Sequence, residues 1–232
     1  MTKLKIQVKE LNKSYGNLHV ISNLSMDFTS NRIHCLLGPS GCGKTTFVNI
    51  LAGLTDANEG RVKGVEDKTF SYIFQEDRLL PWATVEENML FVLESRYNKD
   101  EAQHLSDKYL SLVDLANFKD NYPQELSGGM KQRVTIARAF AYGGDIFVMD
   151  EPFKGLHLEL KKGLMDYIIN YWNQENRFFF FITHDVDEAL YIADEIHIFD
   201  GPPLTLKSTT TIDIPAYNRR KHEDEIKKYK EI

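Results

Sequence analysis

The sequence predicts an α/β fold: a mainly parallel sheet with crossover helices, an N-terminal antiparallel β-subdomain and an inserted helical subdomain. Three observations predict it. A glycine-rich run from Gly38 to Thr45, GPSGCGKT, lies between an apolar segment of strand length and an amphipathic helix. From Gly128 onward, buried-looking strand runs alternate with stretches of helical period, the pattern of parallel strands joined by helices. Between about 79 and 130 the character changes and the chain reads as mainly helical. The 232 residues suffice for one large domain. Its core then takes residues 1–78 and 131–232, with the helical subdomain at about 79–130.

Taken in order, residues 3–9 and roughly 19–35 read as strands, with Gly16 and Asn17 as a turn. Leu4, Ile6 and Val8 alternate with Lys5, Gln7 and Lys9, which predicts an antiparallel sheet with one wet face. Ile33–Leu37 is the strand that enters the glycine run, and Phe47, Ile50, Leu51 and Leu54 form the stripe of the helix that leaves it. Residues 59–62 and 69–74 look like strands returning to the sheet. Thr84 and Glu87 have the spacing of a capping box, residues 100–113 form a charged amphipathic helix, and Tyr122 and Pro123 mark a loop. A helix over 128–141 stops at Gly143 and Gly144. Strand 146–149, helix 158–173, strand 178–182, helix 185–193 and strand 195–199 complete the alternation. Residues 204–214 are β-prone. The mixed charge run at 219–228 reads as a solvated helical face.

Composition removes several classes of function. Net charge is −6, from 28 Lys and Arg against 34 Asp and Glu, with no basic stripe, so direct nucleic-acid binding is not expected. Two cysteines, Cys35 and Cys42, make no disulfide framework, and both read as reduced thiols suited to the cytosol. The first residues lack the apolar block of a signal peptide, and no apolar run approaches the ~18 residues of a membrane helix.

The chemistry begins at the glycine run, which fits G-x-x-x-x-G-K-[ST] at every fixed position. Gly38, Gly41 and Gly43 are expected to turn the backbone so that its N–H groups face a phosphate, and Pro39, Ser40 and Cys42 complete the nucleotide-binding loop. Lys44 supplies a full positive charge, the helix N-terminus a partial one, Thr45 a hydroxyl for magnesium, and Thr46 a second hydroxyl. Residues 146–151 then form a buried strand ending in Asp150 and Glu151. Asp150 is the candidate magnesium ligand, and Glu151 the candidate base that polarises an attacking water.

Residues 126–130, LSGGM, run straight into a helix. Ser127 is a natural N-cap, yet Gly128 and Gly129 each cost about 1 kcal/mol against alanine. That cost suits a place where backbone N–H groups approach another phosphate. With Lys131, Gln132 and Arg133 following, the segment strongly resembles the signature of ATP-binding cassette (ABC) ATPases, and the resemblance extends over nearly the whole chain. It implies a P-loop NTPase (RecA-like) core, ATP and Mg2+ as cofactors, and a homodimer or paired cassette with ATP at the interface. In that arrangement Ser127, Gly128 and Gly129 of one subunit close over the ATP held by the other's P-loop. Tyr15 resembles the aromatic that stacks on adenine. Gln75 resembles the glutamine that reaches magnesium and the attacking water, and His184 the histidine that contacts the γ-phosphate.

Two positions depart from the family pattern. Met130 stands where many members have Gln, just beyond the phosphate contacts. His157 stands where Asp usually contacts the partner's P-loop, and it cannot reproduce a permanent negative charge. Residues 75–88, QEDRLLPWATVEEN, are similar to importer subunits of the nitrate, sulfonate and taurine group. That likeness implies an ATP-hydrolysing subunit on the cytoplasmic face of the membrane. It would be held there by an integral permease and supplied through a solute-binding protein. Leu79, Leu80, Pro81 and Trp82 are expected to form an exposed apolar step for a short permease helix. A soluble ABC ATPase of DNA repair or translation is the alternative; such proteins usually carry coiled-coil insertions, tandem units or basic arms, which this sequence lacks.

Overall fold

Alternating side chains fix the first sheet. The computed structural model describes residues 4–172, 177–222, 225–226 and 228–231. In β1 (Lys5–Tyr15), Ile6 and Val8 are buried while Lys5 and Lys9 face solvent, as the period of two requires. β2 (Leu18–Thr29) returns antiparallel to it around Gly16 and Asn17. The predicted strand over 19–35 is in fact two: the chain turns at Ser30–Arg32, with Asn31 at φ 64°, before β3 (Ile33–Leu37). The break lets β2 and β3 belong to different sheets. After α1 (Lys44–Leu51), β4 (Glu59–Lys63) pairs with β1 and completes an antiparallel sheet of order β2-β1-β4.

The second sheet gathers the apolar strands. These are β5 (Phe70–Ile73), β6 (Ile146–Asp150), β7 (Phe178–Thr183), β8 (Glu195–Asp200) and β9 (Thr205–Thr211). Its order is β5-β6-β7-β3-β8-β9; the first five strands run parallel and β9 is antiparallel to β8. The β-prone stretch after Leu204 is therefore an edge strand. β3, β6 and β7 are buried at every position, as strands covered on both faces must be. Cys35, Phe147, Met149, Phe179 and Phe181 enter one core, with α4 (Gly128–Tyr142), α5 (Leu158–Trp172) and α6 (Val186–Ile192). Leu36, Val148, Phe178, Phe180 and Ile182 enter the other, with α1 and the antiparallel sheet. Burying each of these phenylalanines contributes about 1.5–3 kcal/mol.

Residues between the sheets' strands supply α2 (Val85–Leu93) and α3 (Lys99–Leu112), which pack on α4. Thr84 and Glu87 form the expected reciprocal capping box, and Asn98 caps α3. Gly143, at φ 65°, ends α4. Both cysteines are free and buried. Lys3 and Asn173, which bounded predicted elements, lie outside the described residues, as do Glu223, Asp224 and Lys227 of the charged run. Arg219, in that run, is buried rather than solvated: its guanidinium donates to the carbonyls of Ile214 and Leu190. Among the described residues, no helix is long and apolar enough to cross a membrane.

Candidate functional site

The glycine loop leaves the C-terminal end of β3 and opens α1, at the edge of the sheet where parallel strands present their binding crevice. Gly41 (φ 81°) and Gly43 (φ 114°) take left-handed backbone, and Gly43 is the N-cap of α1. Gly38 is constrained differently from its expected turn role. Its φ is ordinary, but a Cβ there would sit 2.5 Å from the Phe199 carbonyl oxygen of β8. Lys44 is buried and folds back on its own loop, its Nζ donating to the carbonyls of Gly38 and Pro39 at 2.8 Å each. A phosphate in the loop offers that ammonium a charged acceptor in place of two neutral ones. The Cys42 side chain packs into the core, so this residue can offer a ligand only its backbone.

A cavity of about 280 Å3 opens over this loop. Ser40, Gly41, Gly43, Lys44, Thr45 and Thr46 form its floor. Tyr15, half exposed, forms a wall from the end of β1, with the Lys13 ammonium 4.9 Å above its ring. Gln75 enters from the segment after β5, and Asp150 and Glu151 from the end of β6. Val20 and Ile182 complete the lining. Neither carried a signal in the sequence, because each is one apolar residue within a strand.

The acidic end of β6 joins the glycine loop to His184 through side-chain contacts. Thr45 Oγ1 donates to Asp150 Oδ2 at 2.7 Å. Burial pushes the Asp150 carboxyl above its ordinary value, the Thr45 hydroxyl pulls it back, and the neighbouring Glu151 charge pushes it up again. Glu151 leaves the strand at φ 49°, a left-handed conformation that costs a non-glycine residue about 1–3 kcal/mol. Its N–H still reaches the Ile182 carbonyl, while its Oε1 lies 3.1 Å from His184 Nδ1. With this departure from strand geometry Glu151 meets His184 while it and Asp150 both line the cavity. His184 itself is largely exposed and stands just before α6.

Ser127, Gly128 and Gly129 do not reach this cavity. Ser127 Oγ accepts from the Met130 N–H at 3.3 Å, capping α4. A Cβ on Gly128 would meet nothing within 4 Å, and one on Gly129 only an ordinary contact with Leu156. Packing therefore requires neither glycine. His157 is exposed at the start of α5 and also lies off the cavity lining. Of the predicted apolar step, Pro81 and Trp82 are exposed but Leu79 and Leu80 are half-buried, Leu79 against the main core. The sequence reading missed Arg138 on α4. Its guanidinium donates to the carbonyls of Asp77 and Arg78 and ties the segment after Gln75 to the helix that Ser127 caps.

Comparison with known proteins gives the family of the chain. A family model described as ABC transporter matches residues 21–154. An uncharacterized ABC transporter ATP-binding protein of Methanocaldococcus jannaschii is 38% identical over 223 residues, covering 91% of this chain and 84% of the relative. An aliphatic sulfonates import ATP-binding protein, SsuB of Bacillus cereus, is 35% identical over 224 residues, covering 93% and 87%. The fold matches that of a solved ATP-binding cassette dimer bound to ADP and Pi. The TM-score is 0.80 at 24% identity, covering 89% of this chain and 98% of that one. The family match spans the glycine loop and Asp150 alike, and the relatives align over most of their length: the chain belongs to the ABC transporter family, as one of its ATP-hydrolysing cassettes.

Proposed function

We propose that this chain energises a membrane importer, with two copies, or this chain and a paired cassette, closing on two ATP molecules and passing the motion to an integral permease. The observation that carries the reading is the line of contacts from Thr45 through Asp150 and Glu151 to His184, set beside the amides of the glycine loop. Tyr15 stacks on the base, the loop from Gly38 to Thr46 and Lys44 grip the phosphates, and His184 meets the γ-phosphate. Glu151 accepts the proton of the attacking water, and Gln75 helps to orient that water.

Thr45, Asp150 and Gln75 all line the cavity, Thr45 bonded to Asp150, and their side-chain oxygens are hard ligands of the kind Mg2+ takes. Bound there, Mg2+ would neutralise charge on the phosphates. The signature residues support a head-to-tail pair: Ser127, Gly128 and Gly129 are free of their own cavity, and packing gives no reason for the glycines. We take residues 79–130 as the helical unit that carries this signature to the partner, and His157 as a weakened contact across the same interface.

A groove of about 580 Å3 beside Gln75 supports the permease partner. Phe74, Leu80 and Phe91 line it, with Arg78 and Arg138 at its polar side. Phe91 is 69% exposed, and Trp82 nearby 74%. Apolar surface of this kind suits a short amphipathic helix. On this reading the chain sits peripherally on the cytoplasmic face and meets a solute-binding protein only through the permease. Likeness to the sulfonate importer subunit favours a sulfonate, and the resemblance of residues 75–88 widens this to nitrate- or taurine-like solutes. The net charge of −6 does not favour nucleic acid as a partner.

The test is E151Q. Turnover is expected to fall about 10²- to 10⁴-fold, ATP affinity to hold, and the variant to run as a dimer with ATP and Mg2+ in light scattering. A variant that stays monomeric under those conditions rules out the sandwich.

A further inference from the structure

β3 and β8 are neighbours in register, with His34 opposite Glu195 and Leu36 opposite His197. Because side chains alternate, His34, Glu195 and His197 project from one face of the sheet, into the layer beneath β2. The imidazoles are buried, at 0% and 3% exposure, under the ring of Phe28 and beside Phe180. Nothing in the ATP chemistry uses them, and none of the three lines the nucleotide cavity.

Their donor atoms converge. His34 Nδ1 lies 3.2 Å from His197 Nε2 and 3.2 Å from Glu195 Oε2, and His197 Nε2 lies 3.8 Å from the same oxygen. Four ligands around a zinc ion at about 2.0–2.1 Å stand about 3.3 Å apart at the tetrahedral angle. The three separations are close to three edges of that tetrahedron.

The remaining atoms of each group are already engaged in the way that metal ligands require. His34 Nε2 meets the Thr29 carbonyl at 2.9 Å, an acceptor only, so that nitrogen carries a proton and leaves Nδ1 as the atom that faces the cluster. His197 Nδ1 is held by Thr209 Oγ1 at 3.1 Å. Glu195 gives its other oxygen, Oε1, to the Arg32 guanidinium. Each inner ligand thus has an outer partner that fixes its orientation. A proton on His34 Nδ1, donated to the Glu195 carboxylate, is one way to join these atoms. A cation at the centre satisfies all three donors together.

We propose that His34, His197 and Glu195 form a buried site for a divalent metal of the zinc class, stapling β3 to β8. Two imidazoles and one carboxylate favour zinc over magnesium or calcium, which take all-oxygen sites. The fourth position falls to water, since Glu195 is the part-exposed member and the side of entry. The staple lies directly behind the phosphate loop: β3 runs from His34 into Gly38, and β8 from His197 to the Phe199 carbonyl that packs on Gly38.

The experiment uses the full chain, stripped with chelator and free of nucleotide, titrated with Zn2+ by calorimetry and with Co2+ by visible absorption. One equivalent per chain is expected, with the intense band of four-coordinate cobalt and a rise in the thermal midpoint. Removing a ligand should weaken binding by at least about 100-fold. E195Q changes one part-exposed atom and tests this without disturbing the core, and H197Q tests it from inside. If the wild-type chain binds no zinc at millimolar concentration, or E195Q and H197Q bind as tightly as wild type, the site is a proton-sharing cluster and the proposal fails. Because no nucleotide is present, either result leaves the ATPase reading untouched.

Discussion

Gly38 and Gly128 are both glycine, and for opposite reasons. At Gly38 the obstacle is backbone, since the Phe199 carbonyl oxygen would lie 2.5 Å from an added methyl and neither strand can retreat from a sheet paired on both sides. At Gly128 the space is open. G38A is therefore expected to destabilise the fold by about 1–3 kcal/mol, the cost of overpacking. G128A should leave stability unchanged or raise it by up to about 1 kcal/mol, because alanine favours a helix. Urea unfolding of the two variants checks the contrast, and equal losses would remove the packing account of Gly38. This is also where sequence reasoning reached its limit at a residue. The GPSGCGKT run marked the loop, but three glycines looked alike, since a carbonyl arriving from β8 leaves no trace near Gly38. The His34, Glu195 and His197 cluster was hidden for the same reason: strand pairing, not spacing, assembles it.

At the scale of an element, caps decide where His184 stands. Asp185 caps α6, its Oδ1 accepting from the N–H groups of Asp187 and Glu188, while Oδ2 accepts from Lys161 at 3.1 Å. Burial pushes the Asp185 pKa up, but the Lys161 ammonium and the helix amides outweigh it, so the carboxyl titrates below its ordinary value. A carboxyl with a depressed pKa adds stability that is complete above the unfolded value and fades as pH falls through the folded one. D185N keeps the cap, since Asn and Asp cap equally well, and loses the charge. The expected loss is about 0.5 kcal/mol near neutrality, kept small by solvent around a side chain 38% exposed. That gap should close below about pH 4. Lys161 stays paired with Glu188 in the variant, so urea midpoints measured across that range report Asp185 alone; a gap that widens on acidification contradicts the assignment. Elements with their own caps were legible in advance: Thr84 with Glu87 and Ser127 both stand where their sequences put them. The join between β2 and β3 was legible too, since Thr29–Arg32 is a run of four polar residues with Asn31 at φ 64°, and reading 19–35 as one strand passed over that turn signal.

For the whole molecule, the fold class was readable because strand, glycine loop and helix form a recognisable physical unit, and because β3, β6 and β7 are mostly apolar and buried at every position. On the proposed reading, what one chain cannot supply is the second half of its own site. Ser127 sits at the head of α4, clear of the cavity that holds Lys44 and Glu151, so its proposed phosphate contact needs another copy. S127D separates folding from that contact. Aspartate caps a helix as well as serine, and its charge is favourable at a helix N-terminus by about 0.3–1 kcal/mol. The isolated chain should therefore melt at the same temperature or slightly higher, and bind nucleotide in its own cavity as before. Facing the triphosphate of a partner, the same carboxylate is a like charge, and such a juxtaposition costs several kcal/mol. Each 1.36 kcal/mol is tenfold in rate, so turnover should fall by at least about 10²-fold. Combined with E151Q, the substitution should also abolish the ATP-dependent dimer in light scattering. Normal hydrolysis by S127D would mean that each cavity works without a second chain, and that Gly128 and Gly129 have some purpose other than approaching a phosphate.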